Sequence, residues 1–259
     1  LPDGIFTVLQ GGPELVDAIL DHEEVAAVSF VGSTPIARHV YQRASAAGKR
    51  VQALGGAKNH AVVLPDADPG STAAHLVAAG YGSAGQRCMA ISAVVVVGTD
   101  EQVEPLLTEL TAQSGQVVVG PYTDEAAEMG PVITAQARDR IRTVVGQAEA
   151  GGARVLLDGR EHQVSGAEDG YFLGPTLLDE VTQDSVAYTE EVFGPVLVVL
   201  RAADLDEALA IVNANPFGNG AAIFTGDGAA ARRFQRQVQA GMVGINVPIP
   251  VPVGSFSFG

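Results

Sequence analysis

Ala26-Ala27-Val28-Ser29-Phe30-Val31-Gly32-Ser33-Thr34-Pro35 reads as a strand turning into a helix. The run to Val31 is apolar and β-branched, Gly32-Ser33 turns the chain, and Pro35 falls in the first helical turn, where a missing N–H is harmless. Ser33 or Thr34 can cap that helix, which should run to about Ala47. Arg50 to Leu54 reads as the next strand, and upstream Ile5 to Leu9 reads as a strand followed by a helix from Pro13 to about Asp21. Strand, helix, strand, helix, strand is the pattern of parallel α/β structure.

The alternation continues downstream. Ala61 to Leu64 is strand-like, and Asp68-Pro69 opens a helix that ends in a glycine-rich bend. Ile91 to Val97 is apolar without alternation, as in a strand buried on both faces. Glu101 to Ser114 and Thr134 to Ala150 read as helices, the latter with Ile141, Val144, Val145 and Ala148 on one face. Further strands are expected at Val117–Val119, Arg154–Leu157, Leu197–Leu200, Ala221–Thr225 and Met242–Asn246, with helices from Asp204 to Ala214 and from Gly228 to Ala240. Gly159 to Gly170 is polar and reads as an exposed loop.

Composition narrows the partners. Thirty acidic residues against 15 basic ones leave a net charge of -15, a surface that repels nucleic acid and anionic membranes. The chain has 47% hydrophobic residues and a mean hydropathy of +0.21, ample for a core. No apolar run is long enough to span a bilayer. Five scattered histidines show no metal-ligand spacing, so no metal is expected. A single cysteine excludes an internal disulfide and fits a cytoplasmic location. Leu1-Pro2-Asp3-Gly4 reads as a turn inside a domain, which makes the chain an expected internal piece of a longer protein.

The single cysteine sits in Gly82-Ser83-Ala84-Gly85-Gln86-Arg87-Cys88-Met89. Glycines allow the backbone to bend tightly and approach a ligand closely. Arg87 places a positive charge beside the thiol, and a neighbouring cation favours the nucleophilic thiolate. Taken alone, a lone cysteine is more often a small buried hydrophobe than a nucleophile. Gly80-Tyr81-Gly82-Ser83-Ala84-Gly85 matches the dinucleotide fingerprint string, but it neither follows a strand nor opens a helix. Ser33, at a helix N-terminus, is a candidate phosphate ligand or an ordinary cap. Glu190-Glu191 before Phe193-Gly194-Pro195 can be surface turn acids.

Several of these stretches together resemble the aldehyde dehydrogenase superfamily. Tyr81 through Ala90 is similar to its nucleophile segment, in the Gly-Ser-Ala-Gly-x-Arg-Cys-Met-Ala form of the methylmalonate-semialdehyde dehydrogenases. Phe30 to Thr34, Glu190 to Pro195 and Gly241 to Pro252 resemble other segments of the same family. The resemblance implies a parallel-sheet NAD-binding domain, of which 1–56 is the C-terminal part, then an α/β catalytic domain at 57–247 and a loop leaving it at 248–259. It implies Cys88 as nucleophile, with Ser33, Gly55, Glu191 and Phe193 binding NAD: Ser33 at the pyrophosphate, Glu191 at the nicotinamide ribose, Phe193 beside the nicotinamide ring. It also implies a homo-oligomer, dimer or tetramer, of the full-length protein.

Leu54-Gly55-Gly56-Ala57-Lys58-Asn59-His60 departs from the family pattern. Aligned on Lys58, Leu54 stands where hydrolytic members carry the glutamate regarded as the water-activating base. Leucine accepts no proton, whereas a thiol co-substrate ionises readily and needs less help. The departure points to acyl transfer to coenzyme A, and Leu54 by itself is also an unremarkable core leucine. The expected reaction is NAD-dependent oxidation of methylmalonate or malonate semialdehyde to an acyl-CoA with decarboxylation. Arg87 is a candidate for the substrate carboxylate or a structural arginine. The alternatives are a hydrolytic aldehyde dehydrogenase and a catalytically incomplete binding fragment.

Overall fold

The computed structural model describes residues 2–248 and 255. The chain divides into two compact units, Leu1–Gly56 and Ala57–Gly259.

In the first unit, α1 (Pro13–Asp21) and α2 (Thr34–Ala46) accompany two parallel strands, β1 (Ala27–Val31) and β2 (Arg50–Leu54), paired in register from Ala27↔Arg50 to Val31↔Leu54. Leu20, Val40 and Ala44 form its small core with Val28, Phe30 and Val51. Arg43 ties α2 to α1 through Asp17 and Asp21 at 2.9 and 2.6 Å. The expected strand at Ile5–Leu9 does not form; those residues are irregular and exposed. A strand is stabilised by its ladder, and no described strand pairs with this segment, so apolar character alone does not make it one.

The second unit holds a sheet of seven described strands in the order β5-β6-β7-β4-β3-β8-β9. They are β3 (Asn59–Val63), β4 (Ile91–Val97), β5 (Arg154–Leu157), β6 (Thr176–Asp179), β7 (Val196–Ala202), β8 (Gly220–Phe224) and β9 (Met242–Ile245). All neighbours are parallel except β5 and β6, which run antiparallel at one edge. β3, β4, β7 and β8 are buried nearly throughout, because helices cover both faces of a parallel sheet and leave no solvent side to alternate with.

The helices are α3 (Pro69–Tyr81), α4 (Asp100–Gly115), α5 (Ala135–Ala150), the single turn α6 (Val186–Thr189), α7 (Leu205–Ala214) and α8 (Gly228–Gln237). Their starts follow capping chemistry. Asp68 accepts from Ser71 N–H at 2.8 Å, Thr134 from Ala137 N–H at 3.1 Å, and Asp204 from Glu207 N–H at 2.9 Å. Thr99 and Gln102 form a capping box on α4. Ile141, Val144, Val145 and Ala148 are the buried face of α5.

Two short elements escape the sequence pattern. β6 and α6 span four residues each. Val117–Val119 contributes only an isolated bridge, Val119 to Met129. Of the closing loop expected at 248–259, residues 249–254 and 256–259 lie outside the described residues. Among the described residues no helix is long and apolar enough to cross a membrane.

Leu197, fully buried in β7 beside the central β4, tests this core. Leu197→Ala is expected to lower unfolding free energy by about 3 kcal/mol, read from denaturant melts at unchanged m-value.

Candidate active site

α3 ends at Tyr81, and the chain then makes a left-handed turn. Ser83, Ala84 and Gly85 have φ of 56°, 53° and 64° in succession. Such angles disfavour residues with a Cβ, so the surroundings must hold them. Ala84 is buried, and Gly85 lies against the backbone of Gly194, where a Cβ would come within 2.1 Å of the Gly194 carbonyl oxygen. Gln86 Oε1 accepts from Ile133 N–H at 2.9 Å, and Arg87 Nη2 donates to the Ala79 carbonyl at 3.1 Å. Ala90 N–H donates to the Arg87 carbonyl at 2.9 Å, closing a turn with Cys88 inside it. Cys88 is exposed, so the reading of it as a buried hydrophobe is set aside.

Two asparagines hold this turn from below. Asn59 Nδ2 donates to the carbonyls of Cys88 and Ala90, both at 2.8 Å. Asn219 Nδ2 donates to the Cys88 carbonyl at 3.0 Å and to Asn59 Oδ1 at 3.1 Å. Asn59 starts β3 and Asn219 directly precedes β8. Asn219 carried no sequence signal, because its partner is 160 residues away.

The acid loop arrives from the other side. Glu191 is half-buried, and its Oε1 accepts from Ala57 N–H at 3.1 Å. Burial raises its pKa above the ordinary carboxylate range, while the Ala57 N–H and the charges of Lys58 and Arg140 pull the other way. Arg140 Nη2 donates to the Val192 carbonyl, and Phe193 takes a left-handed φ of 49°. Lys58 is buried and donates to the carbonyls of Ala187 and Glu190 at 2.6 and 2.9 Å. Its desolvation lowers its pKa to about 7, against the pull of Glu191 and Glu190. His60, buried next to it, donates to or accepts from Tyr188 Oη at 3.0 Å, and burial followed by the Lys58 charge lowers its pKa to about 4, leaving it neutral.

Arg87, Cys88, Glu191 and Phe193 therefore line one cleft, with Ala57 and Asn59 at its floor. These lie at the amino ends of strands: Asn59 starts β3, Cys88 precedes β4 and Phe193 precedes β7. Ser33 and Gly55 belong to the first unit. Ser33 caps α2, yet its side chain makes no capping hydrogen bond. A Cβ on Gly55 would meet Thr34 Oγ1 at 3.0 Å. Among the described residues no three His, Cys, Asp or Glu side chains are grouped to hold a metal ion.

An exposed thiol in a strained turn thus shares a cleft with a half-buried carboxylate at the amino ends of a mostly parallel sheet in an α/β fold. The aldehyde dehydrogenase family matches residues 1–259, and the chain belongs to it. It is 49% identical over 259 residues to malonate-semialdehyde dehydrogenase of Pseudomonas aeruginosa, covering 100% of this chain and 52% of that protein. It is 52% identical over 258 residues to the mitochondrial acylating methylmalonate-semialdehyde dehydrogenase of Arabidopsis thaliana, covering 100% of this chain and 42% of the relative. A crystal structure of a Sinorhizobium meliloti 1021 protein assigned as methylmalonate-semialdehyde dehydrogenase, complexed with NAD, matches at TM-score 0.97 and 51% identity over 100% of this chain and 52% of that one. The chain thus spans about half the length of the relatives it matches.

Gly85 tests how the two loops meet. Gly85→Ala is expected to cost about 2–4 kcal/mol, because the added methyl must displace the Gly194 backbone at a left-handed φ. Thermal melts against Gly82→Ala, where a Cβ meets nothing nearer than 3.8 Å, are the measurement.

Proposed function

We propose that the full-length protein carrying this chain oxidises methylmalonate or malonate semialdehyde with NAD and passes the acyl group to coenzyme A, with loss of the substrate carboxylate as carbon dioxide. The observation that carries the reading is the exposed Cys88 thiol in one cleft with Arg87, Glu191 and Phe193. The names of the relatives support the substrate class, and the NAD complex of the structural relative supports the cofactor.

The chain's own residues fit NAD. The Ser33 hydroxyl is uncommitted at the N-terminus of a 13-residue helix, a position suited to a pyrophosphate. Gly55 brings no side chain to the neighbourhood of Thr34. Glu191 has one oxygen engaged by Ala57 N–H, and its carboxylate can accept from ribose hydroxyls. Phe193 presents a partly exposed ring for the nicotinamide. Bound NAD supplies the hydride acceptor.

In this mechanism Cys88 Sγ attacks the aldehyde carbon, a C–S bond forms, and the carbonyl electron pair moves to oxygen. After hydride loss the acyl group is held as a thioester on Cys88. Cys88 leaves as thiolate when the coenzyme A thiol takes the acyl carbon. The carboxylate departs as carbon dioxide, its bonding pair stays on the α-carbon, and a proton completes propanoyl- or acetyl-CoA. Leu54, half-buried at the end of β2, stands where hydrolytic members have their base and accepts no proton from water. Arg87 keeps guanidinium N–H groups beyond the one given to Ala79, enough for a carboxylate. The full-length protein is proposed to act as a homo-oligomer, dimer or tetramer.

Two experiments test this. With NAD and methylmalonate semialdehyde, NADH should appear as a single-turnover burst that becomes steady only when coenzyme A is added; steady turnover without it would establish the hydrolytic reaction instead. Arg87→Leu should raise the KM for the semialdehyde about tenfold while leaving that for an uncharged aldehyde within about twofold. Equal increases would remove Arg87 from carboxylate recognition.

A further inference from the structure

We propose that Lys58 is a positioning residue for Glu191, the cofactor-binding carboxylate: its ammonium, donating to the carbonyls of Ala187 and Glu190, fixes the loop that carries Glu191 and brings a positive charge that favours its ionised form. This rests on the reading of Glu191 as the ribose-binding acid.

Three observations carry it. Lys58 is 1% exposed and lies outside the lining of the cleft that Cys88 shares. Its acceptors are two carbonyls on the stretch that ends at Glu191, one of them in the peptide bond directly before that residue. The residue before it, Ala57, donates its backbone N–H to Glu191 Oε1, so one dipeptide grips the loop through both main chain and side chain. Burying an ammonium is costly, and a neutral donor could satisfy two carbonyls. What the ammonium adds is charge, acting on a carboxylate whose burial pushes its pKa up.

The charges facing this pair are few. Glu190 and Glu191 come from the acid loop and Arg140 from α5, while His60 on β3 is neutral near pH 7 and Tyr188 on α6 is hydrogen-bonded to it. The signs follow. Lys58 titrates at a lowered pKa of about 7, so its charge is present below that pH and lost as pH rises through it. Glu191 titrates at a raised pKa, so its negative charge is lost as pH falls. Cofactor affinity should therefore fall as pH drops through the Glu191 titration, and the Lys58 charge should hold that limb at lower pH.

The test is NADH affinity of the full-length protein from pH 5 to 9, read from NADH fluorescence, for wild type, Lys58→Gln and Glu191→Gln. Glutamine keeps donors for the carbonyls and removes the charge. Wild type should weaken as pH falls toward 5 and Glu191 is protonated. In Lys58→Gln that acidic limb should move up by about one pH unit, so that affinity along it falls by up to about tenfold. A Lys58→Gln protein that melts lower but keeps the wild-type acidic limb would overturn the proposal, since a purely structural lysine behaves so. If Lys58→Gln does not fold, the wild-type series decides alone: constant affinity from pH 7 to 5 overturns the proposal. If Glu191→Gln binds NADH as wild type does, the ribose reading fails and the proposal falls with it. If Glu191→Gln weakens binding while Lys58→Gln matches wild type, only the positioning role is lost.

Discussion

Four consecutive residues, Ala57-Lys58-Asn59-His60, hold the second unit's site together. Ala57 N–H meets Glu191, Lys58 meets the carbonyls of Ala187 and Glu190, Asn59 meets the carbonyls of Cys88 and Ala90, and His60 meets Tyr188. Lys58, Asn59 and His60 are among the few polar side chains buried here, and each has a partner, as buried polar groups require. Because the segment enters the rigid, fully buried β3, two loops more than a hundred residues apart in sequence are referred to one fixed edge.

That edge is unusual for an open parallel sheet, where ligands generally lie beyond the carboxyl ends of the strands. Here the thiol, the acid loop and the asparagine pair all lie at the amino ends of β4, β7, β3 and β8. Side-chain amides, a backbone N–H and a buried ammonium hold the loops there. The strain is concentrated there too. Ser83, Ala84 and Phe193 accept left-handed backbone, and Gly85 and Gly194 are in backbone contact. These conformations persist because the loops are over-determined by hydrogen bonds and burial.

The first unit shows the opposite regime. Its core is small and many apolar residues, including Phe6, Val8, Val31 and Ile36, are exposed. Local signals still sufficed: Pro13 and Pro35 open helices, and β1 and β2 pair in parallel. Where a strand needed a partner outside its own residues, at Ile5–Leu9, the apolar pattern misled.

By itself the sequence determined the elements whose causes are local. The helix starts at Asp68 and Asp204, the apolar face of α5 and the unalternating β4 could all be read from neighbouring residues, since those interactions span only one turn or one strand. Cys88 was legible as a lone cysteine beside an arginine in a glycine-rich bend, whereas Glu191 became a candidate only because its string resembles a family. The tertiary structure alone decided that Cys88 is exposed, that Glu191 shares its cleft, and that Lys58, Asn59 and Asn219 support them. Those contacts join residues 29 to 160 positions apart, and a buried amide or ammonium has no sequence signature until the fold supplies its partner.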